Sequence, residues 1–469
     1  MFEPVVLWTD ALIYVLVAGI IAFGWYVARR EHLREQWGRV IRSSMGAGSL
    51  VVLLAYVAIG LLDSVHYRPA LPSTAADQQT QYSTQVLSVL DLLLTPIRTG
   101  VEQTYSAPFA AYSYVKETVR LADGREERIY PRLKYGGAQL TDPGTQRVPD
   151  ILRRSGWGVL EALGLLVLLQ GGLSLFLARR HHVTAREMAL RVLRGRTEVP
   201  WRVVLGVSAV VIVLVMVSVN LAPYYHVFGT DKVGQDVYYQ TLKSIRTGLV
   251  IGTLTTLVML PFAIMLGIMA GYFRGWVDDI IQYVYTTLNS IPGVLLIAAA
   301  VLMLQVYMAN HPGMFDTNTQ RADVRLLGLC VILGVTNWTG LCRLLRGEAL
   351  KLVEADYVQA ARAFGVGDFK IMVRHMVPNV MHIVMISVVL DFSGLVLAEA
   401  VLSYVGVGVD PTMNSWGNMI NRARLEMARD PMVWWSLLAA FLFMVGLVLA
   451  ANLFADAVQD AFDPRQRQR

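Results

Sequence analysis

Residues 381–402 read MHIVMISVVLDFSGLVLAEAVL, 22 residues with no lysine or arginine and only two carboxylates, Asp391 and Glu399. A hydrocarbon layer about 30 Å thick needs roughly 20 helical residues to cross it. This stretch is that long, and its apolar residues run on without the strict alternation of a membrane β-strand. It therefore reads as a membrane-spanning helix. Eight further blocks of similar character lie outside it, at about 11–28, 46–62, 156–178, 203–221, 246–272, 280–308, 326–345 and 433–454. The fold class expected is all-α, a polytopic transmembrane bundle of about nine spans with one large insertion.

Composition agrees. The chain has 469 residues, 55% of them hydrophobic, and a mean hydropathy of +0.48. Soluble domains carry about 45–50% apolar residues even with glycine counted. The net charge of +6 would suggest nucleic acid in a soluble protein. Here the basic residues gather at the ends of apolar blocks, as the positive-inside rule requires, and nucleic acid is not an expected partner. The lipid bilayer is.

The basic loops set the topology. Residues 29–44 and 179–202 are rich in arginine, the second holding Arg179, Arg180, Arg186, Arg191, Arg194, Arg196 and Arg202 against Glu187 and Glu198. Both are expected to be cytoplasmic, with the N-terminus outside. Residues 1–10 carry Glu3 and Asp10 and no lysine or arginine, so no cleavable signal peptide is expected there. Residues 63–154 then lie outside the cell as an ordered insertion. Within it, residues 86–94 are apolar, residues 105–118 are aromatic with some helical periodicity, and Asp123-Gly124 and Tyr135-Gly136-Gly137 mark turns. Its function is not legible from sequence.

Several classes of chemistry find no support. Cys330 and Cys342 are twelve residues apart on one helix, roughly 18 Å along its axis, too far for a disulfide. His181-His182, adjacent on a basic loop, are poor ligands for a single ion. No phosphate loop, HExxH or GxSxG occurs. No catalytic residue, metal site or cofactor is expected, and ATP hydrolysis, if the protein uses it, must come from another chain. In the fifth span, Gly248 and Gly252, then Gly267, Gly271 and Gly275, recur at four-residue spacing and suggest close helix packing.

The expected cytoplasmic loop 346–378 stands out because it is longer than a connector needs. Residues 348–364 have the composition of a helix, with Leu352, Ala355, Tyr357, Ala360, Ala361 and Phe364 as an apolar face. Gly365 stops it, Gly367-Asp368 turns, residues 369–377 resume as a short helix, and Pro378 leads into the next span. On these features alone the helix could dock in a protein groove or lie on lipid headgroups.

Gln359-Ala360-Ala361, three residues, Gly365, nine residues, then His375-Met376-Val377-Pro378 resembles the EAA loop of ABC importer permeases, approximately E-A-A-x3-G-x9-I-x-L-P. Gln359 replaces the glutamate, His375 the isoleucine and Val377 the leucine. Four other segments, in order, resemble the C-type permease subunits of dipeptide and oligopeptide importers. They are HVFGTDKVGQDV from His226, with Gln235 where that family has arginine; NWTGLCRLLR ending at Arg346; EAVLSYVGVG from Glu399; and SWGNM from Ser415. The tail from Asn452 to Asp463-Pro464-Arg465 continues the likeness.

The resemblance implies a permease subunit moving short peptides across the bacterial inner membrane. Its implied partners are a homologous second permease, two cytoplasmic ATPase subunits and a periplasmic substrate-binding protein. It implies ATPase coupling by Arg343, Arg346, Glu354, Gln359, Ala360, Ala361, Gly365 and Pro378. Asp391 and Glu399 are candidates for the translocation path or gate, since ionisable groups inside a span usually face a bundle interior or an aqueous route. The expected domains are 1–62, N-terminal spans; 63–155, insertion; 156–202, third span and basic loop; and 203–465, permease. Residues 1–202 lie outside the resemblance. Import of nickel or of a peptide-like antibiotic is an alternative, as is a membrane scaffold or sensor that has kept an ATPase-docking loop.

Overall fold

The computed structural model describes residues 2–70, 82–120, 126–315 and 317–462. The turn expected at Asp123-Gly124 and the motif end at Asp463-Pro464-Arg465 fall outside them. In chain order the elements are β1 (Phe2–Val5), α1 (Trp8–Arg29), α2 (Glu31–Arg42), α3 (Ser44–Ser64), β2 (His66–Pro69), β3 (Leu87–Ser88), α4 (Val89–Leu93), α5 (Thr95–Thr99), β4 (Glu117–Arg120), β5 (Glu126–Ile129) and α6 (Pro143–His181). Then follow α7 (Ala185–Leu193), α8 (Trp201–Leu221), α9 (Val237–Phe273), α10 (Gly275–Ser290), α11 (Gly293–Asn310), α12 (Asn318–Asn337), α13 (Thr339–Val353), α14 (Asp356–Ala363), α15 (Asp368–Ile371), α16 (Val377–Val405), α17 (Trp416–Glu426) and α18 (Trp435–Phe462). Among the described residues nine helical segments are long and apolar enough to cross a membrane. The protein is an all-α polytopic bundle, and its sheets are confined to short strands, β1-β2-β3 and the β4-β5 hairpin.

Three expectations are corrected. Residues 280–308 are two helices, because Ile291 is extended and Pro292 starts α11; a proline lacks the N–H that would continue α10. Residues 348–364 are not one helix either. Helix α13 carries the preceding span on to Val353, and extended Ala355 restarts the chain as α14. Residues 105–118 are irregular up to β4, with Tyr105 and Ala111 buried in the insertion.

The chain forms two compact units. The first comprises Met1–Val5, Tyr26–Thr247 and Asn414–Ala461. In it α6 packs on α8 so closely that a Cβ on Gly158 would come within 2.8 Å of Val217 Cα. The insertion is bound to the segment 226–236 by a buried polar network. Glu102 accepts hydrogen bonds from the backbone N–H groups of Lys134 at 2.9 Å, Tyr135 at 2.8 Å and Gly136 at 3.0 Å. His226 bridges Glu102 at 3.3 Å and Asp236 at 2.7 Å. Burial works against charge on the imidazole, but its two carboxylate partners prevail and push its pKa up to about 9. Burial likewise opposes the Glu102 carboxylate, and the His226 and backbone donors pull its pKa down to about 2. Beside them Thr230 donates to Thr104 O at 2.8 Å, and Glu102 N–H donates to Gly234 O at 2.9 Å. Gly234 has φ +76°, and any Cβ there would overlap the Glu102 backbone, so only glycine fits.

A second network joins α3 to α9. Lys243 is ion-paired with Asp63 and with Asp91, the latter at 3.1 Å, and donates to Ser88 Oγ at 3.1 Å. Tyr239 donates to Asp91 at 2.7 Å. Burial alone would raise the Asp91 pKa, yet the Lys243 charge and these donors hold it below the usual carboxylate range.

The second unit comprises Val6–Trp25, Gly248–Met413 and Phe462–Arg469. One core gathers Ile268, Leu341, Leu345, Val358, Ile371 and Met376 among others, and a second gathers Ile251, Leu254, Leu329, Leu333 and Leu402. Glycine spacing serves packing as expected at three positions. Gly252 lies against the Phe392 ring, Gly267 against Cys342 and Leu345, and Gly271 against Ala349. Gly275 does not share this role; it has φ +55° at the start of α10 with nothing near its Cβ position. Cys330 and Cys342 are free and buried.

Candidate functional site

The loop between α13 and α16 is held from beneath and bare on top. Val358, Ile371 and Met376 are buried in the core of the second unit, with Leu352, Ala361 and Val366 packed against it. These contacts fix α14 and α15 to the bundle. Phe364 at 88% exposure and Phe369 at 76% project away, with Tyr357 and Val373 about half exposed. Of the apolar face read from the sequence, Tyr357, Ala360 and Phe364 are exposed, while Leu352, Ala355 and Ala361 are half-buried. Two largely exposed phenylalanines, five residues apart on an anchored segment, offer apolar surface of the kind that marks a contact site.

Gly365 shapes that surface. The Gly365 N–H donates to Arg362 O at 3.0 Å and the Val366 N–H to Ala361 O at 3.1 Å. Together with φ +72° at Gly365, this is a Schellman turn. It satisfies the last carbonyls of α14 and turns the chain so that Phe364 and Phe369 flank the bend. A Cβ at 365 would meet nothing within 4 Å, so the requirement for glycine there is one of backbone conformation only.

Anchors surround the loop. Arg346 makes a bidentate pair with Asp278 at 2.6 and 2.7 Å, and this pairing holds the Asp278 carboxyl below its usual range. Arg343 is exposed and stacks over the Tyr285 ring at 5.2 Å. Glu354 pairs with Arg274 at 2.5 Å. Tyr272 donates to Asp368 at 2.6 Å, and Arg362 lies over the Tyr272 ring at 5.7 Å. Gln359 Nε2 donates to Glu354 O at 3.2 Å. A glutamate there could not donate and would face the Glu354 carboxylate, so glutamine suits this local geometry. Pro378 occupies the first turn of α16, where its missing N–H costs nothing.

Sequence reasoning missed Tyr272, Arg274, Asp278 and Phe369. Arg274 and Asp278 lie in the short 273–279 segment and carry charges opposite to Glu354 and Arg346, a complementarity readable only once the two loops are known to meet. The structure brings Arg343, Arg346, Glu354, Gln359, Ala360, Ala361, Gly365 and Pro378 into one loop and its anchors. Asp391 and Glu399 lie apart, inside α16. Glu399 is 2% exposed and accepts from the Ser403 hydroxyl at 2.6 Å. Asp391 is half-buried.

Comparison with known proteins identifies the family of the chain. The model of the family described as binding-protein-dependent transport system inner membrane component matches residues 263–468. The glutathione transport system permease protein GsiD of Pectobacterium atrosepticum is 32% identical over 241 residues, 51% of this chain and 73% of that one. The dipeptide permease DppC of Bacillus subtilis is 31% identical over 53% of this chain and 72% of its own. The oligopeptide permease OppC of Mycobacterium bovis is 30% identical over 52% and 77%. Among solved structures, a likeness to the inward-facing MetNI methionine ABC transporter covers 47% of this chain and 93% of that one at 16% identity, with a TM-score of 0.35. The chain belongs to the binding-protein-dependent inner-membrane permeases of ABC importers, on the C-type branch of the dipeptide and oligopeptide systems.

Proposed function

We propose that this permease forms half of a heterodimeric pore in the bacterial cytoplasmic membrane and carries short peptides inward. Residues 346–378 are its docking element for a separate ATPase. The observation that carries the reading is the bare Phe364–Phe369 surface on a loop clamped to the bundle by Arg346, Glu354, Tyr272 and Val358. An exposed apolar tip on a rigid base suits insertion into a protein groove, and the base passes its motion to α13 and α16. An interfacial helix would need no such clamp. Arg343 and Arg346 brace the base, Glu354 and Gln359 hold the start of α14, Ala360 keeps the contact face small, Ala361 lets α14 sit close on the bundle core, Gly365 sets the bend, and Pro378 starts the moving span.

The remaining partners are a second, homologous permease, a pair of ATPase subunits that hydrolyse ATP, and a periplasmic protein that delivers substrate. The names of the relatives, which concern dipeptides, oligopeptides and glutathione, support a peptide substrate. We assign 203–465 to the permease proper, 1–62 and 156–202 to appended spans and their basic loop, and 63–155 to a periplasmic module. The test is uptake of labelled di- and tripeptides by vesicles holding the full complex, with and without ATP. ATP-dependent uptake is expected. Stable ATPase binding without uptake would instead make the chain a scaffold.

A further inference from the structure

Glu426 ends α17 and is only 6% exposed. The Tyr105 hydroxyl of the insertion donates to one of its carboxyl oxygens, Oε1, at 3.3 Å. The other, Oε2, is buried and has no hydrogen-bond partner among the described residues. A buried polar atom left unpaired costs free energy, and more if it carries charge, so its presence here calls for a reason.

Its neighbours come from four segments of the first unit. Segment 226–236 brings Asp231, a second buried acid. Asp231 accepts from the Val233 N–H at 3.0 Å, the Gln235 N–H at 2.9 Å and Gln240 Nε2 at 2.7 Å, so it offers Glu426 repulsion and no donor. The insertion brings the Tyr105 hydroxyl, whose pKa burial pushes up to about 12, so it stays a donor. The start of α18 brings the buried Ser436 hydroxyl, and the stretch after α17 brings exposed Arg429, 5.2 Å from the Tyr105 ring centre. Burial, with the Asp231 charge next, raises the Glu426 pKa above 4.5; Tyr105, Ser436 and Arg429 pull the other way and do not prevail. The same seam is held beside it by Tyr114, which donates to Met432 O at 3.1 Å, and by Trp435, which donates to Thr230 O at 2.9 Å.

We propose that Glu426 is a proton-operated clasp between the insertion and α17. With its proton on, the carboxyl is neutral beside Asp231, keeps the Tyr105 bond, and the seam is closed. With its proton lost to water, two buried carboxylates repel each other and one oxygen of Glu426 carries charge with no donor. The seam is then strained, and the stretch around Tyr105 loosens from α17. No other bond changes. Folding favours the protonated form, so the clasp is at full strength below about pH 4.5 and weakens as the pH rises from there through its higher folded value. The acidity around the insertion thereby sets how firmly it sits on the rest of the first unit.

The test uses the purified full-length chain in detergent and follows protease cleavage within 82–120 from about pH 4.5 to about pH 8.5. Wild type is compared with Glu426→Gln and Glu426→Met, neither of which can ionise there. Dividing the wild-type rate by the variant rate at each pH cancels the protease's own pH dependence and the titration of His226 and Glu102. Cleavage of an opened segment tracks its opening equilibrium. The ratio is expected to rise about fivefold or more across the range for both variants, the scale of one buried group left unsatisfied. The Tyr105 hydrogen bond lost in Glu426→Met displaces the ratio at every pH and leaves the rise. A ratio that is flat with pH, or that falls, overturns the proposal. So does failure of both variants to fold, because the carboxylate is then needed at every pH.

Discussion

Replacing Gly365 separates the shape of the loop from everything else about it. The residue has φ +72° and an empty Cβ position. A substituted side chain therefore strikes nothing, and the whole effect comes from the left-handed backbone. For an L-residue that conformation costs about 1–2 kcal/mol, less for asparagine and more for a β-branched residue. The expected order of coupling is glycine, then asparagine, then alanine, then valine. A bias of about 2 kcal/mol changes the population of the correctly bent loop roughly thirtyfold. The bundle core beneath, with Val358 and Ile371 buried, is untouched, so membrane insertion and thermal stability should stay near wild type. The assay is ATP-driven peptide uptake in vesicles, alongside capture of the ATPase by the purified permease. Gly365→Val should bind the ATPase weakly and transport little, with Gly365→Asn closest to wild type. Equal transport by all four proteins would refute the reasoning, because the bend would then not matter.

Three other outcomes are expected. Arg346→Met strands Asp278, whose side chain is 12% exposed, and should cost about 2–3 kcal/mol in a thermal melt, while Arg346→Met with Asp278→Met should recover most of it. Folding raises the His226 pKa from 6.5 to about 9, so its contribution, up to about 3 kcal/mol, is complete below about pH 6.5 and lost as pH rises through about 9. Glu102 is shifted down, from 4.5 to about 2, and its contribution is present above about pH 4.5 and lost as pH falls toward 2; protease cleavage within 82–120, followed against pH, should be slowest between these limits. Gly234→Ala pushes a methyl group into the Glu102 backbone and should expose the same segment to protease at neutral pH, whereas Gly313→Ala, which meets nothing, should not.

The spans were legible because length and hydropathy are enough to meet the demand of a bilayer. Their interruptions were not. Pro292 divides what hydropathy alone reads as one block, and the break at Ala355 has no proline or glycine to announce it. Gly365 was legible as a stop, since glycine in that place has few other uses. The polar anchors of the loop were not, because Arg274 with Glu354 and Asp278 with Arg346 are pairs between segments about 70 to 80 residues apart. The aromatic run 105–118 misled for a related reason. Its periodicity reflects which rings pack against Glu426 and Trp435, as Tyr105 and Tyr114 do, and not a helix.

The ion cluster around Lys243 bears on how the chain can be cut. Asp63 sits at the end of α3 and Asp91 in the insertion, both before residue 203. An engineer who trimmed the protein to the permease portion would remove both counter-charges and leave an ammonium in a helix bound for the membrane. Asp63 and Asp91 thus tie the leading part of the chain to α9 by charge, and a swap of this region between relatives must carry the matching acids with it.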